Sequence, residues 1–355
     1  MTVITSLKPT LCLPVGMDEQ IPELTLRAGT LEDVTRLAEL FTITYGQTTH
    51  PCQAPDYIDQ AMRSGQQRWF VVELGAKIVG CSCVARRAWN QSWEVCHGVV
   101  HPEARRTGVI SSLVRLSLEE HCPEALELGF YITRNLASHS VMKHIKPAVL
   151  VGHDGGPDTV DGLREYHLTA LHPPTCDGFV HAAPWYANTA GAEFISHFLY
   201  ESLQLEPVQD NYPATCLSGP PGAEQTGHLR YTHDAAGNAL TLSGESQCAL
   251  SEQAVIAELS ALLEQWKHAD YISVPILADK LELLSYLISL GFSITAYLPA
   301  WHLHQGARFD CILLVLNNFS PAPRSHGFDD EVVFFDQAYA RLADHLCTLA
   351  AQRPR

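Results

Sequence analysis

The stretch Trp93-Glu-Val-Cys-His-Gly-Val-Val-His-Pro102, followed by Glu103-Ala-Arg105-Arg-Thr-Gly108-Val-Ile110, concentrates the residue types that can do chemistry. The pattern predicts a strand ending at Pro102, a short loop, and a helix starting near Gly108. A loop so placed aims successive backbone N–H groups at an anion, with the positive end of the helix dipole behind them. Gly108 lets a ligand approach the backbone closely, and Arg105 and Arg106 add two guanidiniums. A diphosphate is a natural occupant. The candidate anion-binding set is therefore Arg105, Arg106, Thr107, Gly108, Val109, Ile110 and Ser111. Side chains alternate along a strand, so Glu94 and Cys96 share one face while His97 and His101 point to the other. The spacing of those two histidines suits a metal only on a helix, so no metal site is expected from them.

The elements that position this segment follow from periodicity. A short strand is predicted over residues 24–28, with Thr30 as helix N-cap candidate and Asp33 at the capping-box distance. Val34, Leu37, Leu40 and Phe41 fall on one helical face, and residues 57–63 form a second short helix. Residues 68–74 and 77–86 are strands joined at Gly75-Ala76, a hairpin signal. After the helix at 108–121 come a strand at 126–133, a helix at 138–146 and strands at 148–152 and 163–171. Pro173-Pro174 marks a domain boundary. Beyond it the expectation is a helix at 189–203, a long loop at 207–225 and a hairpin around Gly237-Asn238. A strand-helix-strand-helix-strand-strand order then runs from about residue 239, and an amphipathic helix closes the chain. The expected division is an arm at 1–22, domains at 23–172 and 175–319, and a C-terminal helix at 328–351.

Composition narrows the class. The chain has 355 residues, 46% apolar and 17% charged, which excludes disorder as the main state and suggests about two domains. No apolar run approaches the ~18 residues of a membrane span. Residues 1–10 lack the apolar core of a secretory signal. Eleven cysteines without a CxxC pair read as buried reduced thiols, and a cytoplasmic location is expected. The net charge of -16 disfavours nonspecific binding of nucleic acid.

With strand, loop and helix in view, the chain resembles the GCN5-related N-acetyltransferase (GNAT) family over about residues 23–172. That family's pyrophosphate loop reads Arg/Gln-x-x-Gly-x-Gly/Ala after a strand that often ends in Val-x-Pro. Here the sequence gives Val100-His101-Pro102 and then Arg105-Arg106-Thr107-Gly108-Val109-Ile110, with Ile110 departing from the small final residue. The resemblance implies acetyl-CoA or another acyl-CoA as donor, its pantetheine arm running along the strand at Val99 and Val100 and touching Asn135. Glu94 lies eleven residues before Arg105, the offset of the catalytic glutamate in the histone-acetylating branch. The resemblance makes it the candidate general base, and its other reading is a solvated strand glutamate. Cys96 is either an acyl-accepting thiol or a packed core residue. The tyrosine that usually protonates the leaving thiolate is missing, since Met142 stands at that position. Ser138 and Ser140 are substitutes as proton donors or serve as helix caps.

The second half resembles the C-terminal part of another such unit, with Gly291-Phe292 as the helix-to-strand turn. Its segment Gly244 to Leu250 has no arginine and no second glycine, so it cannot build the same cradle. The fold class expected is α/β (an α+β mixed sheet): two GNAT-like units, each a central mixed β-sheet flanked by helices, the second degenerate. That unit would shape the acceptor site or the domain interface, with Tyr297 and Trp301 as substrate-contacting candidates. Arg308 and Asp310 are expected as a structural ion pair at a turn. The expected function is N-acyl transfer from acyl-CoA, or from a pantetheine thioester on an acyl carrier protein, to a small-molecule amine. No metal, nucleic acid or membrane is expected to take part. The alternatives are an aminoacyl-tRNA-dependent transferase and a non-catalytic module that binds CoA or a thioester.

Overall fold

The computed structural model describes residues 24–352, apart from 47–49, 122, 125, 161–162, 177, 246–249 and 321. The arm expected at 1–22 and most of the segment 244–250 lie outside the described residues. The chain falls into two compact units, one of residues 1–86 and 94–122, the other of residues 87–93 and 123–355.

The first unit contains β1 (Leu24–Ala28), α1 (Val34–Tyr45), α2 (Pro55–Arg63), β2 (Gln67–Leu74), β3 (Lys77–Arg87), the greater part of β4 (Ser92–Val100) and α3 (Val109–Glu119). The strands lie in the order β1-β2-β3-β4, with antiparallel pairing of β1 to β2 and of β2 to β3. Gly75, at φ +62°, makes the turn between β2 and β3 that the sequence signals. Leu37, Ala38, Leu40 and Phe41 of α1 pack on Trp69, Val71, Cys81 and Cys83, so odd-numbered positions of β2 and β3 face α1. Gly80 and Ser82 of β3 face α3. Ser82 Oγ lies 2.5 Å from Ser117 Oγ, and a Cβ at Gly80 would come within 2.7 Å of Val109 Cγ1. A side chain at 80 would therefore push α3 off the sheet. The capping box at Thr30 and Asp33 is present. The buried Asp33 carboxylate also accepts from Arg27 at 2.7 and 2.8 Å and from Arg36, and Glu73 joins the same network. Burial alone would raise the Asp33 pKa, but the Arg27 bonds and the Thr30 N–H outweigh it and hold the carboxyl at about 2.

The second unit holds β5 (Leu128–Thr133), α4 (Leu136–Ile145), β6 (Val149–His153), a small hairpin of β7 (Thr159–Val160) and β8 (Leu163–Arg164), β9 (Leu168–Leu171) and β10 (His181–Ala183). After them come α5 (Glu201–Leu203), β11 (Val208–Gln209), β12 (Glu224–Thr226), β13 (Leu229–Asp234), β14 (Ala239–Glu245), α6 (Glu252–Gln265) and β15 (Tyr271–Leu277). The unit ends with α7 (Leu281–Ser289), β16 (Ser293–His304), β17 (Ala307–Asn317) and α8 (Asp329–Gln352). The main strand order is β5-β9-β6-β16-β17-β15-β14-β13-β12. It is a mixed sheet, since β14 and β15 run parallel while β15, β16 and β17 pair antiparallel.

The element order expected from residue 239 is the one found. The boundary expected at Pro173-Pro174 does not separate the compact units. Strand β9 lies between β5 and β6, and β6 meets β16 where Gly152 stands opposite Ala296. That approach needs glycine: a Cβ at 152 would lie 2.3 Å from the Thr295 carbonyl oxygen. The helix expected at 189–203 is partly realised, as a wide π-type stretch over Phe194–Tyr200 running into α5. Helix α8 buries Val332, Phe335, Tyr339, Leu342 and Leu346, the three- and four-residue spacing of one helical face. No helix among the described residues is long and apolar enough to cross a membrane.

Candidate functional site

The predicted strand, loop and helix are present. Backbone N–H of His101 donates to the Val79 carbonyl at 2.9 Å, tying the end of β4 to β3. A 3-10 turn over Pro102–Ala104 follows, and the His101 Nδ1 accepts from Glu103 N–H at 3.3 Å. Arg106 (φ +66°) and Gly108 (φ +81°) then adopt left-handed backbone on either side of Thr107. Left-handed residues of this kind build the backbone concavities that bind anions. Gly108 is the N-cap of α3 and no described side chain caps that end. The first helical bond runs from Ser112 N–H to Gly108 O at 3.1 Å, so the amides of Val109, Ile110 and Ser111 precede the helical ladder. Thr107 Oγ1 is occupied by donating to Ala104 O at 2.6 Å. Arg105, Arg106 and Thr107 are exposed, and a Cβ at Gly108 would meet nothing within 4 Å. The loop offers open amides, two exposed guanidiniums and a helix terminus, which fits a diphosphate.

Ile110, the departure from a small residue, turns its side chain to β4. A Cβ at Gly98 would lie 3.3 Å from Ile110 Cδ1, so the absent side chain at 98 makes room for the isoleucine. The sequence showed the bulky residue but not the glycine that receives it.

On β4, Glu94 and Val99 are buried and Val100 is half-buried. Cys96 packs on the core beneath α1, and the charge of Glu94 acts on its thiol, consistent with the shared face expected for the two. A hydrogen bond with Cys83, burial and nearby negative groups hold the Cys96 thiol well above its ordinary pKa. It is a packed thiol and a poor acyl acceptor. His97 requires a correction. Its φ is +53°, which breaks the two-residue alternation. Its ring therefore lies parallel to Trp69 at 5.3 Å and edge-on to Phe41, on the face it shares with Cys96. The alternation rule assumed extended backbone throughout, and a left-handed non-glycine residue leaves no mark in sequence.

In the second unit, Asn135 is the N-cap of α4, its side-chain oxygen accepting from Ser138 N–H at 2.8 Å. Ser140 Oγ donates to Leu136 O at 2.9 Å, and Met142 is buried. The Ser140 hydroxyl is thus committed to the helix, while Ser138 bonds there through its backbone N–H. Tyr297 is fully buried and its hydroxyl donates to Asp310 at 2.7 Å. That removes it from the surface where a substrate could meet it. Trp301 stays half-buried, edge-on to Phe130 at 5.1 Å and to Trp89 at 6.1 Å.

Arg308 and Asp310 do not pair with each other as expected. Asp310 accepts from His181 at 2.5 Å, from Tyr200, from Tyr297 and from Ala300 N–H. The buried Arg308 guanidinium instead donates to the carbonyls of Asn90, Gln91, Leu126 and Ala300. Burial lowers its pKa to about 10, so it keeps its charge at neutral pH. Each group is satisfied by hydrogen-bond partners, backbone carbonyls for Arg308 and an imidazole, two hydroxyls and an amide for Asp310, the usual condition for burying charge.

Comparison with known proteins adds the family. Residues 34–144 match the model of the acetyltransferase (GNAT) family. No curated protein matches the sequence. Among solved structures, diaminobutyrate acetyltransferase from Paenibacillus lautus is similar at 18% identity and TM-score 0.37, covering 44% of this chain and 98% of that one. A ribosomal-protein-alanine N-acetyltransferase from Brucella melitensis is similar at 17% identity and TM-score 0.36, covering 41% and 97%. The matched segment contains β4, the loop at Arg105–Gly108 and α3, and the chain thus carries a GNAT-family acetyltransferase domain.

Proposed function

We propose that the protein is an N-acyltransferase that moves an acetyl or related acyl group from acyl-CoA to the amine of a small molecule. The supporting observation is the uncapped start of α3 behind two left-handed loop residues and two exposed arginines, inside the acetyltransferase segment. In this reading Arg105, Arg106 and the amides from Gly108 to Ser111 hold the diphosphate, and β4 at Val99 and Val100 guides the pantetheine arm. Glu94 takes the proton from the acceptor ammonium, directly or through water. No tyrosine acid is required, because a thiol of pKa ~8.5 leaves readily as thiolate.

The test is calorimetric titration with CoA, followed by thiol release from acetyl-CoA in the presence of a panel of amines. About one CoA per chain is expected, with Gly108→Glu abolishing binding because a carboxylate would occupy the anion's place at a left-handed position. Tight binding that survives the substitution would overturn the loop assignment. CoA binding without thiol release for any amine would favour a binding module.

A further inference from the structure

His50 and Cys52 flank the start of the 3-10 turn Pro51–Gln53, and His97 sits at the left-handed break in β4. Their ligand-type atoms lie within 4.8 Å of one another. We propose that His50, Cys52 and His97 form a binding site for a divalent transition metal of the zinc class.

The geometry is close to what such an ion needs. With zinc–sulfur near 2.3 Å and zinc–nitrogen near 2.05 Å, tetrahedral angles place sulfur and nitrogen about 3.6 Å apart. Cys52 Sγ and His97 Nδ1 are 3.5 Å apart. The remaining distances close with modest ring shifts, as His50 exchanges its present contact, Cys52 N–H to Nδ1 at 3.2 Å, for the ion. Both imidazoles are held by aromatic neighbours. His97 is parallel to Trp69 within 3°, His50 stacks on Phe41 at 5.2 Å and on Tyr45 at 5.1 Å, and the two imidazoles meet edge to face at 5.8 Å.

One thiolate and two imidazoles suit zinc, cobalt or copper rather than magnesium or calcium, which prefer oxygen. Three protein ligands leave a fourth position for water or an exogenous ligand. On binding, the Cys52 S–H bond breaks, its proton passes to solvent and the sulfur pair forms the metal bond, so about one proton is released per ion. The ion would fasten the turn after α1 to β4. The proposal does not rest on the acyltransferase reading.

The experiment is titration of the metal-stripped full chain with Co2+, followed by competition with Zn2+. Expected are about one Co2+ per chain, four-coordinate ligand-field absorption and a thiolate-to-cobalt charge-transfer band, all lost on adding Zn2+. Cys52→Ser should abolish the charge-transfer band, His97→Ala should weaken binding about tenfold or more, and Cys96→Ser should leave the spectrum unchanged. No cobalt uptake by the wild-type chain, or a band that persists in Cys52→Ser, would overturn the proposal. Should the variants fail to fold, X-ray absorption of the zinc-loaded wild-type chain decides. One sulfur among the zinc ligands supports the site, and a shell without sulfur refutes it.

Discussion

Glu94 shows what one carboxylate's surroundings permit. It is buried on β4, beside a thiol held protonated, rather than spread into solvent like an ordinary strand glutamate. If it removes the acceptor's proton, Glu94→Gln keeps the shape and hydrogen bonding but loses the base. General-base loss typically costs about 10²–10⁴-fold. The acidic limb of the kcat/KM profile should flatten, and activity should partly return at high pH, where more of the amine is already neutral. CoA affinity should stay within about twofold, a readout that separates base loss from collapse of the loop. Near-wild-type kcat with an unchanged profile would make Glu94 a structural residue. At this scale the sequence nominates residues by type alone, as at Arg105, Arg106 and Gly108. It misleads where burial decides. Tyr297 has a suitable ring for a substrate wall, yet its hydroxyl is committed to Asp310 in the core. His50 and Cys52 gain interest only when the break at His97 turns its ring toward them.

At the scale of elements, the candidate anion-binding loop at Arg105–Gly108 depends on how α3 seats on the sheet, and two glycines control that seat. A Cβ at Gly80 would press on Val109 Cγ1 at 2.7 Å and on Leu113 Cδ1 at 3.1 Å. Val109 is β-branched and stiff in a helix, so it cannot swing aside and the helix must move. Gly80→Ala should cost about 1–3 kcal/mol in denaturant unfolding and weaken CoA binding by displacing the amides at the start of α3. A Cβ at Gly98 would meet only the flexible end of Ile110, at 3.3 Å. Gly98→Ala should therefore cost well under about 1 kcal/mol, and adding Ile110→Ala should relieve it. Equal losses from the two glycine substitutions, or no relief in the double variant, would show that α3 is seated by other contacts. The hairpin at Gly75, helix α1 and helix α3 are legible because each has a turn residue or an apolar face that reads without partners. Which strand residue lies beneath α3 depends on register, and the boundary inferred from Pro173-Pro174 failed for the same reason. Proline pairs mark turns, but pairing of β6 with β16, where Gly152 stands opposite Ala296, carries the sheet across that turn.

For the whole molecule, acid should act unequally on the two units. In the second unit, burial lowers the His172 pKa to about 4, with Lys146 adding to the effect against a hydrogen bond to the Pro147 carbonyl. Burial likewise lowers His302 to about 4, helped by the neighbouring His304, Arg308 and Lys280 charges. The unfolded chain takes up these protons near pH 6.5, and the folded unit resists them until about pH 4. Their contribution is therefore complete above pH ~6.5 and is lost as pH falls toward 4, by up to roughly 3 kcal/mol per histidine at 1.36 kcal/mol per pH unit. In the first unit the matching group is Asp33, held at about 2 against an ordinary value of 3.8. Its contribution persists down to about pH 4 and is lost only between there and pH 2. Calorimetry at pH 7 and pH 5 should consequently show the transition of the second unit moving down while that of the first stays nearly fixed. His172→Gln retains an amide donor for the Pro147 carbonyl, bonded by the wild-type ring at 2.8 Å, but has no proton to take up. It should remove up to half of the shift between those two pH values. A single transition that falls as steeply in His172→Gln as in the wild type would mean that these buried histidines do not set the acid limit.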